Sequence, residues 1–419
     1  MSINKLGFLA TSILLTTGGA ALIYEVAWQR HLTILVGVDH AATAMTLAVF
    51  LGGLSLGYAL CGRISERVVR PLRVYAGLEI AIGVWGLSFP WIFAAIELLT
   101  RSWSFSRPFG LIAGTLGAAI PLVLIPALLM GATVPFMTRG LAMSLDGLTG
   151  THARVYGLNT LGAVGGALVA GFVLLPRWGP NHSVRLAAML NLAAAAVLLL
   201  LSSRIRGETT SLEVQTQERP ARERLPARSL IALALLSGAA TMAQENALIR
   251  LLGLVLGGTA TVFCLIVSVF IAAIAIGSLV VAKRSSIPPR SLWVACSLSC
   301  AAWLALFVTY DDWPWLAHLL RFGPTAGGLG FASYHMLVWV GLAAALLVPV
   351  APMGAVLPLV FHEQRVSIAA AGRVSGRLLA WNALGALLGS IAGGVLLFHV
   401  VDLSRVLLVA PLLTAAMAW

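Results

Sequence analysis

GGAALIYEVAWQRHLTILVG, residues Gly18 to Gly37, and SGAATMAQENALIRLLGLVLG, residues Ser237 to Gly257, are two copies of one pattern. At an offset of 220 residues they align without a gap: Glu25 lies over Glu245, Ala27 over Ala247, Arg30 over Arg250 and Gly37 over Gly257, with Phe50 over Phe270 and Gly57 over Gly277 further on. A second block repeats at an offset of 223. There MGATVP (Met130 to Pro135) matches MGAVLP (Met353 to Pro358), and Arg154, Asn159, Gly162, Gly166 and Gly171 match Arg377, Asn382, Gly385, Gly389 and Gly394. Agreement over two distant blocks marks an internal duplication.

What is duplicated follows from composition. Of 419 residues, 59% are hydrophobic and 10% charged, and the mean hydropathy is +0.96. A water-soluble globule cannot hide that much apolar side chain, and the uncharged runs are long enough to cross about 30 Å of hydrocarbon. Disordered, disulfide-stapled and soluble nucleic-acid-binding classes are thereby excluded. The apolar runs predict helices near 6–29, 32–62, 73–99, 108–137, 154–175 and 183–202, and again near 229–249, 251–282, 291–310, 333–361, 374–398 and 403–419. The expected fold is an all-α integral membrane protein of about twelve transmembrane helices. It divides into an N-terminal six-helix repeat (1–203), a charged cytoplasmic linker (204–228) with six Arg and four Glu, and a C-terminal six-helix repeat (229–419). Six spans per repeat bring both copies into the membrane in the same orientation, related by an axis along its normal, as in a major-facilitator-like bundle.

Basic residues set the orientation. With the N-terminus in the cytoplasm, nineteen Lys and Arg, the linker arginines among them, fall inside and eight fall outside, the bias expected of a bacterial inner-membrane protein with both termini cytoplasmic. Trp103, Trp178, Trp313 and Trp315 would form an outer interfacial belt. Lys5 reads as part of a retained anchor, since the first span is too long for a removable signal peptide.

Intramembrane acids are the natural site candidates, because a carboxylate in hydrocarbon is costly unless it is paired, wetted or used. Glu25 and Glu245 either face a central cavity, where they would bind a cation or relay protons, or are satisfied by Arg30, Arg250 or a neighbouring helix. Glu79 is unduplicated: if Arg73 matches Arg290, the equivalent position is Cys296. Tyr24, Trp28, Trp85 and Trp381 could supply cation-π walls. Asn159 and Asn382 sit on rows of small residues, Gly162, Gly166 and Ala170 in one copy and Gly385, Gly389 and Gly393 in the other. Close helix packing explains those rows, with the Asn side chains as interhelical donors or cavity-lining groups. Pro135 and Pro358 would kink their helices.

Other chemistry finds no support. Cys61, Cys264, Cys296 and Cys300 lie in or beside apolar runs, so no structural disulfide is expected. The eight His show no metal-ligand spacing, and neither a P-loop, a dinucleotide fingerprint nor a nucleophile elbow occurs. No catalytic residue, cofactor or metal is expected, and Asp39, His40, Asp311 and Asp312 read as solvated.

YEVAWQR (Tyr24 to Arg30), MGATVPFMTR (Met130 to Arg139) and RVYGLNTLGAVGGALVAGFVLLPRWG (Arg154 to Gly179) together resemble the membrane portion of bacterial fused major-facilitator/spermidine-synthase-like proteins. Members of that family often carry a soluble aminopropyltransferase-type domain after the last helix. Here the sequence stops at Trp419 inside the twelfth apolar run, as if truncated or encoded apart from a catalytic partner. The Gly-x-x-x-Asp-Arg-type signature of ordinary major facilitators is replaced by GYALCGRISERVVRP (Gly57 to Pro71), which keeps Gly57, Gly62, Arg63 and Arg67 but not the Asp. The resemblance implies a polyamine-related context. The expected function is a transporter-like membrane protein for a small substrate, with a cation such as a polyamine as the leading class and a site between the halves. The alternative is a non-transporting scaffold that holds a spermidine-synthase-like or other protein at its basic cytoplasmic loops. The lipid bilayer is the certain partner, and nucleic acid is not expected.

Overall fold

In a computed structural model the chain is all-helical. The structure describes residues 3–36, 39–100, 114, 117–145, 147–202, 226–325, 330–365, 367–397 and 400–419. The N-terminal part comprises α1 (Ile3–Val36), α2 (Asp39–Ser65), α3 (Pro71–Thr100), α4 (Ile125–Leu141, entered through a π-helical turn at Ile120–Leu124), α5 (Leu148–Val169) and α6 (Leu175–Ser202). The C-terminal part comprises α7 (Ala227–Leu256), α8 (Ala260–Ala282), α9 (Ser291–Thr309), α10 (Trp313–Thr325), α11 (Phe331–Gln364), α12 (Ala371–Ile391), α13 (Leu403–Leu407) and α14 (Val409–Ala418). Nine helical stretches among the described residues are long and apolar enough to cross a membrane.

Several boundaries depart from expectation. The first helix does not end at residue 29 but runs through Gln29, Arg30 and His31 to Val36, and its counterpart α7 runs through Arg250 to Leu256. Arg30 and Arg250 are exposed, so each sits on a helix face without ending the helix. Gly257, at φ +108°, is the residue that stops α7, and the Thr259 hydroxyl caps α8 by accepting the Val262 N–H at 3.2 Å. Helix α5 continues through a π-helical turn at Ala170–Leu174 into α6, and the reversal falls at Gly179, whose φ of +72° a side chain would resist. Both α5 and α6 pack on α1, so the chain folds back there. The segment after α9 contains a helix, α10, that the apolar runs do not predict, and the last apolar run is broken into α13 and α14. Of the linker, residues 204–225 lie outside the described residues.

Helix pairing is the same in the two parts of the chain. In the N-terminal part α1 packs on α5, α2 on α4 and α3 on α6; in the C-terminal part α7 packs on α12, α8 on α11 and α9 on α14. The small-residue rows make the first of these contacts. A Cβ on Gly162 would lie 2.2 Å from the Leu15 carbonyl oxygen and one on Gly166 2.2 Å from that of Gly19. The copies Gly385 and Gly389 meet the Leu235 and Ala239 carbonyl oxygens at 1.9 and 2.3 Å. Backbones approach this closely only where side chains are missing, and with no water to expel between lipid-facing helices such packing is the main adhesive. The two parts join through α2 against α12 and α5 against α8. Across those seams the Ser55 hydroxyl donates to the Ala380 carbonyl and the Ser278 hydroxyl to the Ala153 carbonyl, each at 2.8 Å.

Candidate functional site

The α1–α5 packing leaves Asn159 and Thr160 beside a cavity of about 210 Å³ that also has α3 and α6 as walls. Glu79, two turns into α3, lines it. The carboxyl group is 2% exposed, and its hydrogen-bond partners are neutral: the Asn191 side-chain amide of α6 donates to Oε2 at 2.5 Å, and the Tyr75 hydroxyl, one turn earlier on α3, also bonds it. Thr17 Oγ1 of α1 lies 3.0 Å from that hydroxyl. Among the described residues no Lys, Arg or His lines the cavity. A carboxylate withdrawn from water without a counter-charge costs several kcal/mol even after relaxation, so this position is either kept neutral or awaits a cation.

A second cavity, of about 180 Å³, lies beside α7 and α12 and is lined by Ser237, Thr241 and Asn382. Leu54, Tyr58, Tyr156 and Ile274 line both cavities, so the two adjoin at a pair of tyrosines contributed by α2 and α5. The repeated asparagines are thus divided between them, Asn159 in the first and Asn382 in the second, where the Asn382 amide also donates to the Ala234 carbonyl at 3.1 Å. The acid is not repeated: the Glu79 counterpart Cys296 is buried in the core.

The other candidates are placed differently. Glu245 is 5% exposed and Glu25 half-buried; they are near enough for Glu25 to act electrostatically on Glu245, but neither lines the two cavities. A spacing of five residues turns Glu25 and Arg30 about 140° apart on the helix, as it does Glu245 and Arg250, so neither pair shares a face. Among the described residues Glu245 Oε2 is buried without a hydrogen-bond partner. Tyr24 and Trp28 stack on each other at 5.0 Å and pack with Phe50 and Phe89, fully buried, so they are core residues and not cavity walls. Trp85 donates to the Leu122 carbonyl at 3.3 Å, and Trp381 is partly exposed on α12; neither lines either cavity.

One end of the bundle, carrying the turns after α2, α4 and α11, is tied together by polar contacts. Arg373 of α12 pairs with Glu66 at 2.9 Å, and Arg365 donates to the Leu145 carbonyl at 3.3 Å and Thr149 Oγ1 at 3.1 Å. Arg139 holds the carbonyls of Ser65 and Val68. His152 of α5 stacks on Phe361 of α11 at 4.1 Å, and its Nδ1 lies 3.2 Å from Ser375 Oγ of α12.

Tyr75, Asn191, Tyr58 and Tyr156 do not stand out as site residues in the sequence. Asn191 has the clearest signal of the four, a lone amide in the run AAMLNLAAAA, which hydrocarbon would not tolerate unsatisfied.

No family model matches this sequence. The polyamine aminopropyltransferase of Mycobacterium tuberculosis is 28% identical over 187 residues, 42% of this chain and 32% of that enzyme. The chain thus spans about a third of the length of the curated relatives it matches. Among solved structures, a bacterial homologue of the iron transporter ferroportin, in its outward-facing state, superposes with a TM-score of 0.60 over 98% of this chain and 97% of its own, at 15% identity. The human organic anion transporter MFSD10 (TM-score 0.58, 14% identity) covers 100% of this chain and 99% of its own, and the proton:xylose symporter XylE of the major facilitator superfamily (0.58, 14%) 98% and 94%. The chain shares the fold of these solved structures, in a multi-pass membrane protein.

Proposed function

We propose that the chain is a transporter for a small cationic substrate, which binds between two six-helix repeats with Glu79 as its counter-charge. The observation that carries this reading is a buried carboxyl group, bonded only to neutral partners, on the wall of a cavity at the seam between the two parts of the chain. The repeats are residues 1–203 and 229–419, six spans each and twelve in all, joined by the 204–228 linker. The duplicated sequence blocks and the matching helix pairs support that division. In the bacterial cytoplasmic membrane, with both termini inside, rocking of one repeat against the other would expose the site alternately. Structural neighbours that handle iron, organic anions and sugars share this fold, so the substrate class is argued from the site alone. The partial match to a polyamine aminopropyltransferase makes amines the first compounds to test.

The test is uptake of radiolabelled amines by proteoliposomes containing the full chain. Uptake by the natural protein that falls at least tenfold in Glu79→Gln, with unchanged gel-filtration behaviour, supports the reading. Uptake untouched by Glu79→Gln removes Glu79 from it, and no uptake of any amine favours the scaffold alternative.

A further inference from the structure

Glu79 presents one negative charge, and the group beside it shows how a ligand would meet that charge. Asn191 gives its amide N–H to the carboxylate, so its carbonyl oxygen Oδ1 faces elsewhere; that oxygen is buried with no hydrogen-bond partner among the described residues. With the carboxylate ionised, as a bound cation would hold it, the orientation is set by chemistry, since an ionised carboxylate only accepts. Asn191 is 2% exposed and lines the same cavity as Glu79. A buried acceptor without a donor is expensive. Here a carboxylate lacking a cation and a carbonyl lacking a donor share one wall. A ligand group that satisfies both must carry positive charge and at least two N–H bonds, which primary and secondary ammonium groups have and a quaternary ammonium lacks.

The far end asks for something else. Beyond Tyr58 and Tyr156 the second cavity offers Ser237, Thr241 and Asn382, and among the described residues no acid lines it. The Thr241 hydroxyl is turned to the Ser237 carbonyl at 2.7 Å, and Asn382 gives its amide to Ala234, which leaves the Asn382 side-chain oxygen as a neutral acceptor. A second positive charge here would be buried without a partner. Together the two volumes fall within the range of about 300–1,000 Å³ usual for small-molecule sites.

From this asymmetry we infer that the site selects a primary or secondary monoamine with an uncharged polar or apolar tail, the ammonium held between Glu79 and Asn191 and the tail passing Tyr58 and Tyr156 towards Asn382. Diamines and polyamines, charged at both ends, are poor ligands. This rests on the reading of the cavities as the substrate site and narrows its ligand class.

The experiment is a thermal-shift titration of the full chain in detergent with four probes built on the same four-carbon chain: 4-aminobutan-1-ol, butylamine, putrescine and butyltrimethylammonium. The expected result is stabilisation by 4-aminobutan-1-ol and butylamine at concentrations at least tenfold lower than putrescine needs, with no response to the quaternary probe. Glu79→Gln should abolish the response. Asn382→Asp, which supplies the missing far charge, should shift the preference to putrescine, and this gain does not depend on a loss-of-function variant folding. Putrescine or the quaternary probe matching the monoamines in the natural protein overturns this inference and leaves the cation site standing. No response to any of the four overturns both.

Discussion

At the scale of single residues, Glu79 and Tyr24 are both buried polar side chains in the N-terminal part, and their fates should differ. Glu79 places an ionisable group where charge is costly, the usual mark of a group retained for function and not for stability. Glu79→Gln preserves the shape and an acceptor for Tyr75, so the apparent melting temperature should stay level or rise while amine binding is lost; a fall of several degrees would mean that the carboxylate is structural. The Tyr24 hydroxyl is buried with no hydrogen-bond partner among the described residues. Removing an unsatisfied group relieves its desolvation cost, so Tyr24→Phe is expected to be neutral or stabilising by up to about 1 kcal/mol in a denaturation series. Glu79 is legible as a candidate because an acid in an apolar run stands out. Tyr24 and Trp28 look like cavity walls on paper, because an aromatic side chain has the same sequence signature in a core as at a cation site.

At the scale of elements, the paired Gly rows make the strongest statement. Gly162 and Gly385 occupy the same place in the two copies and touch backbone carbonyl oxygens of α1 and α7. Gly162→Leu and Gly385→Leu should each cost about 1–3 kcal/mol or more, by forcing helices apart. Gly165, three residues along α5, has nothing within 4 Å of where a Cβ would lie, so Gly165→Ala should leave stability unchanged. Equal melting temperatures for Gly165→Ala and Gly162→Leu would show that the rows are not contact faces. These rows are readable in the sequence because small residues repeated at helical spacing give a smooth helix face, the surface that close backbone approach requires. The ends of α1 and α7 are not: an Arg on an outward face ends an apolar run on paper, but its long side chain can reach the interface while the helix continues.

For the whole molecule the issue is what holds the two parts together. Along the α2–α12 seam a Cβ on Gly376 would lie 2.5 Å from the Tyr58 carbonyl oxygen and 2.7 Å from Gly62 Cα, so backbone meets backbone. The Glu66–Arg373 pair at the end of this seam is exposed by 29% and 56% at its two side chains, and such ion pairs contribute about 0–1 kcal/mol. Gly376→Leu should therefore lower the melting temperature sharply, whereas Glu66→Ala should move it little and less still at high salt. A large effect of Glu66→Ala would show that charge, not close packing, closes this end.

The sequence by itself determined the membrane solvent, the matching sequence blocks, the small-residue contact rows and the presence of acids in apolar runs. Each depends on composition or spacing along the chain, and hydrocarbon enforces such patterns span by span. Only the tertiary structure decided which acid lines a cavity and which aromatics are core. It also brought Asn191 to Glu79 across 112 residues and placed the two asparagines in adjoining cavities that share two tyrosines. Those facts depend on the rotation of each helix about its own axis, which its neighbours set by packing and which no local pattern encodes.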